Sequence, residues 1–153
     1  MKRFLVSIVL LTFIGSVIAQ DLPSDVEKVY KGAEKLKSRK EYKSAINAYK
    51  EVLRSVSHIP SMESIAEISM ELMTPPNYRM AYEYYDKAIS ELERQLAATT
   101  KRKEQTQIGL DIQRLTPKRN KAKSYVDDFD KAKDMKNDGN RLMDDKDLNE
   151  DAD

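Results

Sequence analysis

The segment Asp134–Asp145 has the residue types and spacing of a metal site. It places carboxylates at its first and fifth positions and Gly139 at its sixth, which resembles a calcium-binding loop. Lys136 brings a cation where a ligand oxygen belongs, and Arg141 replaces the apolar residue that ties such a loop to its partner. Asp145 replaces the long bidentate glutamate. We therefore predict no metal site here, and interpret the segment as the end of a helix followed by an acidic tail.

Acid–base or nucleophilic chemistry has little material in this chain. His58 is the only histidine, and it precedes Ile59 and Pro60 in a predicted loop, where a histidine is usually structural or exposed. Three carboxylates four residues apart, those of Glu63, Glu67 and Glu71, share one helix face, which is typical of a solvated stripe. Nucleophile, base and oxyanion donors do not converge in any motif. We predict no catalytic residue, no cofactor and no enzyme activity.

A basic stretch, Lys101–Lys123, holds eight Lys/Arg against Glu104 and Asp111, a net +6, whereas residues 127–153 hold eleven acids against five bases, a net −6. The stretch could contact an anionic membrane surface or the chain's own acidic tail, although a solvated helix face is the more usual reading. Nucleic acid is not expected as a partner, because the chain as a whole is close to neutral.

The first residues read as a targeting segment. The basic residues of Met1–Arg3 precede an apolar run from Phe4 to Ile14, and Val17 and Ala19 are the short residues of a cleavage site. We predict a signal peptide at residues 1–19, cleaved after Ala19, and export to the periplasm or the extracellular space. An uncleaved anchor is the alternative, although the 16 residues from Phe4 to Ala19 fall short of the ~20 that span a bilayer. Cysteine is absent, which excludes disulfides and thiolate sites.

The rest of the chain shows the 3.6-residue period of amphipathic helices. Ser24 and Glu27 form a capping-box pair for a first helix, and the polar run Lys37–Glu41 separates it from a second. Ser61 is a candidate N-cap for a third helix, and Thr74–Asn77 ends it, so that Asn77 caps a fourth. The faces that we expect to be buried are Val26, Val29, Tyr30, Ala33 and Leu36; Tyr42, Ala45, Ile46, Tyr49, Val52 and Leu53; Ile65, Ile68, Ser69 and Leu72; and Ala81, Tyr84, Tyr85, Ala88, Ile89, Leu92 and Leu96.

The second and fourth helices repeat a spacing of small, aromatic and small residues. Ala45, Tyr49 and Val52 recur 36 residues later as Ala81, Tyr85 and Ala88. With the preceding helices included, this spacing resembles the tetratricopeptide repeat, whose period is 34 residues. The positions that carry the resemblance are Val29, Gly32, Ala33, Leu36, Ala45, Tyr49 and Val52 in one repeat, and Ile65, Ile68, Ser69, Leu72, Ala81, Tyr85 and Ala88 in the other.

The resemblance implies an all-α fold of helix-turn-helix repeats, arranged as a right-handed solenoid, over residues 20–96. It departs from the family where Ser57 and Glu93 replace the proline that ends the second helix. It also implies a concave groove that binds a peptide or helix of another protein. In this sequence the groove positions are Tyr30, Glu34, Lys37, Ala66, Met70 and Met73. Some members of the family use a Lys/Asn clamp to bind the C-terminal carboxylate of a ligand. Tyr30 and Glu34 occupy two positions of that clamp here, so binding of a C-terminal carboxylate is not expected.

The segment 97–136 is expected to hold the basic stretch and then a C-terminal packing helix that begins at Thr116–Pro117, with threonine as the cap. Ala122, Tyr125, Val126, Phe129 and Ala132 form its apolar stripe, which should cover the open end of the repeats. Residues 137–153 are rich in Asp, Asn and Lys and are expected to form a disordered acidic tail.

These observations favour an exported, tetratricopeptide-like scaffold or adaptor that binds a protein or peptide partner. The alternative is a structural envelope component, in which Tyr125, Val126 and Phe129 build a homo-oligomer without a separate client. The identity of the partner and the oligomeric state stay open at this stage.

Overall fold

The computed structural model describes residues 22–150, with side chains described as far as Asn137. The predicted signal peptide lies outside the described residues. Regular structure within this range is helical, which confirms the all-α class, and no strand occurs among the residues described. The helices are α1 Ser24–Ser38, α2 Tyr42–Ser55, α3 Ile59–Glu67, α4 Tyr78–Ala98 and α5 Arg102–Glu150, with a π-helical turn Ile68–Leu72 after α3. None of these helices is both long and apolar enough to cross a membrane.

The starts of the helices follow local chemistry, with two corrections to the sequence-based caps. Helix α1 begins at Ser24 itself, because the carbonyl of Pro23 accepts the first hydrogen bond, from the Glu27 amide at 2.9 Å. Helix α3 begins at Ile59 and not after Ser61, since Pro60 fits the first helical turn, where no intrahelical donor is needed. The predicted cap of α4 is confirmed: the Asn77 side chain accepts a hydrogen bond from the Met80 amide at 3.0 Å.

Helix α3 lies between two apolar clusters. Toward α1 and α2, α3 buries Ile65 and the π-helical turn buries Ile68; toward α4 and α5, α3 buries Ile59 and Ala66 and the turn buries Met70. The first cluster also contains the buried residues Ala33, Ala45, Ile46 and Tyr49. The second also contains Ala81, Tyr85, Ala88, Ile89, Leu92, Ile108, Leu115 and Ala122. Each helix therefore packs on the one before it in sequence, and α3 joins the two halves.

The repeated small–aromatic–small spacing has a direct structural counterpart. All six residues are buried, namely Ala45, Tyr49, Val52, Ala81, Tyr85 and Ala88. Alanine lets a neighbouring helix approach closely, and the tyrosine ring fills the space beyond it. The two segments therefore place a small residue, a tyrosine and a second small residue at equivalent buried positions of α2 and α4, although Val52 is larger than Ala88.

Helix α5 runs without a break from Arg102 to Glu150, so the prediction of a new helix at Thr116–Pro117 is wrong. Proline removes one backbone hydrogen bond and crowds the preceding turn, at a cost of about 3 kcal/mol. Burial of Ile108 and Leu115 on one side of Pro117 and of Ala122 on the other offsets this cost, because all three pack on the α4 cluster. The segment 137–150, predicted as a disordered tail, continues the same helix. It contains no proline to end it.

Of the apolar stripe predicted from Ala122 to Ala132, only the first residue is fully buried. Ala122 is buried, but the rings of Tyr125 and Phe129 are 42% and 68% exposed. Packing on α4 depends instead on Ile108 and Leu115, which lie in the basic stretch where the sequence pattern appeared too weak to predict a core face.

Substitution of Pro117 tests the continuity of α5. The Pro117 side chain is exposed, so Pro117→Ala removes the helix-breaking ring without loss of packing. We expect the free energy of unfolding to rise by about 1–3 kcal/mol, measured by urea unfolding. A helix that began at Thr116–Pro117 would instead show no gain, because proline is well tolerated at a first helical position.

The two equivalent tyrosines provide a matched pair of variants. The Tyr49 hydroxyl donates a hydrogen bond to Glu34 Oε1 at 2.5 Å, whereas the Tyr85 hydroxyl is buried without a partner among the described residues. Tyr49→Phe should lower the free energy of unfolding by about 1–2 kcal/mol, and Tyr85→Phe should leave it unchanged or raise it by up to about 1 kcal/mol. Equal losses from both variants in thermal unfolding would contradict this assignment.

Candidate functional site

Helix α1 presents three of the predicted contact residues on one surface. Tyr30, Glu34 and Lys37 follow one another at spacings of four and three residues, which places them on a single face of the helix. All three side chains are half-buried. The neighbouring helices α2 and α3 fix their positions through specific contacts.

Two ion pairs connect α3 to the helices on either side. Lys37 Nζ of α1 lies 2.5 Å from Glu67 Oε2, and the Arg114 guanidinium of α5 donates to both oxygens of Glu63 at 2.8 and 2.9 Å. The prediction that the Glu63, Glu67 and Glu71 carboxylates form a plain solvated stripe is therefore wrong for Glu63 and Glu67. Partly exposed pairs of this kind contribute only about 0–1 kcal/mol each, so their main effect is to fix side-chain positions.

We call the surface formed by Tyr30, Glu34, Lys37, Glu63, Glu67 and Arg114 the three-helix face. It combines side chains from α1, α3 and α5. The two residues of one ion pair, Glu63 and Arg114, are 51 positions apart in the sequence. Sequence reasoning found the α1 residues from the repeat positions but missed Glu63, Glu67 and Arg114. No local signal identifies them, because the helical period shows that Arg114 is surface-facing and not which carboxylate it contacts.

Tyr30 is the aromatic centre of this surface. Its ring contacts the edge of His58, with centroids 4.8 Å apart, and lies 6.0 Å from the ring of Tyr49. Burial, and then the negative charge of Glu34, raise the pKa of Tyr30 to about 12. A hydrogen bond between the hydroxyl and Glu34 contributes to the same shift, so the hydroxyl stays protonated at neutral pH.

Behind Tyr30, His58 and Ser61 form a hydrogen-bonded pair. His58 Nδ1 lies 2.8 Å from Ser61 Oγ, a distance that suits a base and a nucleophile. However, the Ser61 side chain is completely buried and His58 is only 5% exposed. A substrate does not reach this pair in the structure, and its evident effect is to satisfy polar groups at the start of α3.

Two of the six predicted groove residues lie in the core. Ala66 and Met70 are buried in the cluster that α3 and the π-helical turn share with α4, to which Ile108, Leu115 and Ala122 of α5 also belong. Met73 is half-buried at the edge of the other cluster, and Tyr30, Glu34 and Lys37 stay accessible. The structure thus brings together the α1 positions but leaves Ala66 and Met70 inaccessible as ligand anchors.

Among the residues whose side chains are described, no group of three or more His, Asp or Glu side chains could hold a metal ion. The segment Asp134–Asp145 lies within α5 and does not form the loop that its spacing resembles. A shallow depression between α1 and α2, lined by Asp25, Val26, Val29, Glu51, Val52 and Ser55, holds none of the three-helix-face residues.

The buried histidine predicts a pH dependence of stability. Burial lowers the pKa of His58 below its usual 6.5, although the nearby Glu34 charge opposes this. The unfolded chain therefore binds a proton first, and the free energy of unfolding falls as the pH drops below about 6.5. His58→Gln should remove this dependence, as measured by urea unfolding at a series of pH values. NMR titration of the single imidazole provides a direct check, and a pKa above 6.5 would contradict the assignment.

A second group titrates in a separate window and serves as a control. The hydrogen bonds from Arg94 lower the pKa of Glu91 to about 2. The ionised Glu91 carboxylate stabilises the folded chain above about pH 4.5, and this contribution is lost only as the pH falls toward 2. Glu91→Gln should change the dependence of the unfolding free energy on pH below about 4.5, and should leave the dependence near pH 6.5, assigned to His58, unaltered.

Comparisons with known proteins were made at three levels. No protein-family model, no curated protein and no solved structure matches this chain.

Proposed function

We propose that this chain is an exported, tetratricopeptide-like protein-binding module, and that it recognises a peptide or helix of a partner protein on the three-helix face. The observation that carries the proposal is the convergence of polar and aromatic side chains from three helices, half-buried on α1 and α3 and exposed at Arg114 of α5. Cross-helix hydrogen bonds and ion pairs fix these side chains in advance. A pre-positioned surface loses little conformational freedom on binding, which favours affinity.

The surface also indicates the chemistry of the partner. Tyr30 supplies a rigid ring and a hydroxyl donor, the combination that is enriched at the centres of protein interfaces. Around it, the carboxylates of Glu34, Glu63 and Glu67 outnumber the cations of Lys37 and Arg114, and Glu71 adds an exposed carboxylate on the π-helical turn. A partner segment with Lys or Arg beside an apolar residue fits this pattern better than an acidic one.

A structural homo-oligomer is the second candidate function, favoured by the exposed rings of Tyr125 and Phe129 on α5. The two functions differ in what they require of α1 and α3. A client-binding module uses the three-helix face, whereas an oligomer built through Tyr125 and Phe129 leaves Tyr30, Glu34 and Lys37 of α1 open.

Site-specific photo-crosslinking in the native host tests the proposal. A benzophenone side chain at Tyr30 should give a discrete adduct to another protein, and the same probe at Asn47, exposed on α2, should not. Glu67→Lys should reduce the adduct at least about tenfold by repelling a basic partner, whereas Glu93→Lys, exposed on α4, should leave it unchanged. Adducts only to the chain itself, or an adduct insensitive to Glu67→Lys, would count against this function.

A further inference from the structure

The side chain of Tyr85 carries a polar group that the fold does not use. Only 1% of this residue is exposed, and its hydroxyl is buried without a hydrogen-bond partner among the described residues. Such a group loses its hydrogen bonds to water on folding and gains none in return, so it destabilises the folded chain. Phenylalanine would fill the same space without that cost. Packing therefore explains the ring of Tyr85 and not its hydroxyl.

The equivalent tyrosine of α2 shows which group is missing. The Tyr49 hydroxyl donates to Glu34 Oε1 at 2.5 Å. The two tyrosines are 36 residues apart, and Met70 stands 36 residues after Glu34. A thioether is only a weak hydrogen-bond acceptor. The second pair of helices therefore keeps the buried hydroxyl and lacks the carboxylate that would accept from it.

Three carboxylates of α3 and the π-helical turn lie near this hydroxyl. Burial raises the pKa of Tyr85 above its ordinary value. The negative charges of Glu71, Glu67 and Glu63, in decreasing order, raise it further, and the positive charge of Arg114 opposes them. The hydroxyl is therefore directed toward the acidic side of α3, although none of the three carboxylates accepts a hydrogen bond from it.

Glu71 is the carboxylate of this group that has no partner. The other two form ion pairs, Glu63 with Arg114 and Glu67 with Lys37. Glu71 is exposed, and no ion pair involves it among the described residues. A carboxylate and a hydroxyl, each without a partner, thus lie close together, and both can accept hydrogen bonds.

We propose that Glu71 and Tyr85 form a binding site for a primary ammonium group, carried by a lysine side chain of the partner protein. The ammonium donates one hydrogen bond to the Glu71 carboxylate and another to the Tyr85 hydroxyl oxygen. A compact ammonium with three donors suits two separate acceptors, whereas a guanidinium suits the paired oxygens of one carboxylate, as in the contact of Arg114 with Glu63. The inference rests on the proposed function, because it names the group that a partner places at the edge of the three-helix face.

Access to the hydroxyl requires a side chain to move. Met70 is the flexible neighbour, since it occupies the position equivalent to Glu34, is 6% exposed and has an unbranched side chain with three rotatable bonds. A change of its rotamer opens the hydroxyl toward the surface on which Glu71 is exposed. The methylenes of the lysine then contact Met73, which is half-buried at the end of the π-helical turn.

NMR titration with a small probe tests the site directly. Nα-acetyl-lysine amide, added to the full chain, should shift the ring signals of Tyr85 and the amide signals of Ile68–Leu72 in a saturable manner. Tyr85→Phe and Glu71→Gln should each weaken binding at least about tenfold, the loss expected for one hydrogen bond to a charged group. The absence of a saturable shift, or equal binding by Tyr85→Phe, would overturn the proposal.

Matched variants and a matched probe serve as controls. Tyr82→Phe removes a hydroxyl from a half-buried tyrosine of α4, and Glu93→Gln removes a carboxylate exposed on the same helix. Both should bind the probe as the unchanged chain does. The same compound acetylated on its side-chain nitrogen has no ammonium group and should not bind. Binding of this neutral compound with equal affinity would also overturn the assignment.

Urea unfolding tests for an internal partner of the hydroxyl. If Glu71 turned inward and accepted the hydrogen bond of Tyr85, then Tyr85→Phe and Glu71→Gln would lower the unfolding midpoint by the same amount. We expect no such loss from Tyr85→Phe, since the hydroxyl has no partner to lose. Equal losses would contradict the ammonium site, because its two acceptors would already be bound to each other.

The photo-crosslink at Tyr30 separates this inference from the proposed function. An adduct at Tyr30 in a chain whose Tyr85 signals ignore the lysine probe would overturn the ammonium site alone. A probe that binds at Tyr85 in a chain without a Tyr30 adduct would support the ammonium site and contradict the proposed function. Where both hold, Glu71→Gln should reduce the Tyr30 adduct, and Glu93→Gln should leave it unchanged.

Discussion

The structure depends on a nine-residue helix that buries apolar side chains on two sides. Helix α3 and the π-helical turn that follows it place Ile65 and Ile68 in the cluster shared with α1 and α2, and Ala66 and Met70 in the cluster shared with α4 and α5. Because apolar residues on both sides of α3 are buried, the glutamates Glu63 and Glu67 account for much of the surface that α3 exposes to solvent. A polar substitution on either apolar side would therefore separate the two halves of the molecule.

The π-helical turn that follows α3 belongs to the same constraint. The Met73 amide donates to the Ile68 carbonyl at 2.9 Å, five residues back, which widens the last turn before the chain reverses into α4. Such turns are uncommon and often occur where a side chain must be placed off the regular helical register. Here the turn buries Ile68, Ser69 and Met70 together, although Ile68 and Met70 belong to opposite clusters. The Ser69 hydroxyl is buried with no hydrogen-bond partner among the described residues, which shows that packing outweighs polar satisfaction at this point.

Sequence periodicity predicted the parts of the fold that depend on local pattern. The faces of α1, α2 and α4, the polar break before α2 and the Asn77 cap are all present, because each follows from residues within one or two turns. The errors lie where distant packing prevails. Pro117 stands inside a helix because Leu115 and Ala122 on either side of it are buried on α4. Met70 was assigned to a groove because of its repeat position, but packing in the α4 cluster buries it.

The candidate site shows the same division between local and distant information. The α1 positions are readable because Tyr30, Glu34 and Lys37 share a helical face. Their partners cannot be read from the sequence, since the Glu63–Arg114 pair joins residues 51 apart, and nothing in the helical period distinguishes Glu63 from the exposed Glu71.

The charge distribution along α5 shows the same division. Its two opposite halves are visible in the sequence, but their meaning changes with the backbone between them. A turn at Pro117 would allow them to lie side by side within one chain, whereas the continuous helix keeps them apart at opposite ends of α5.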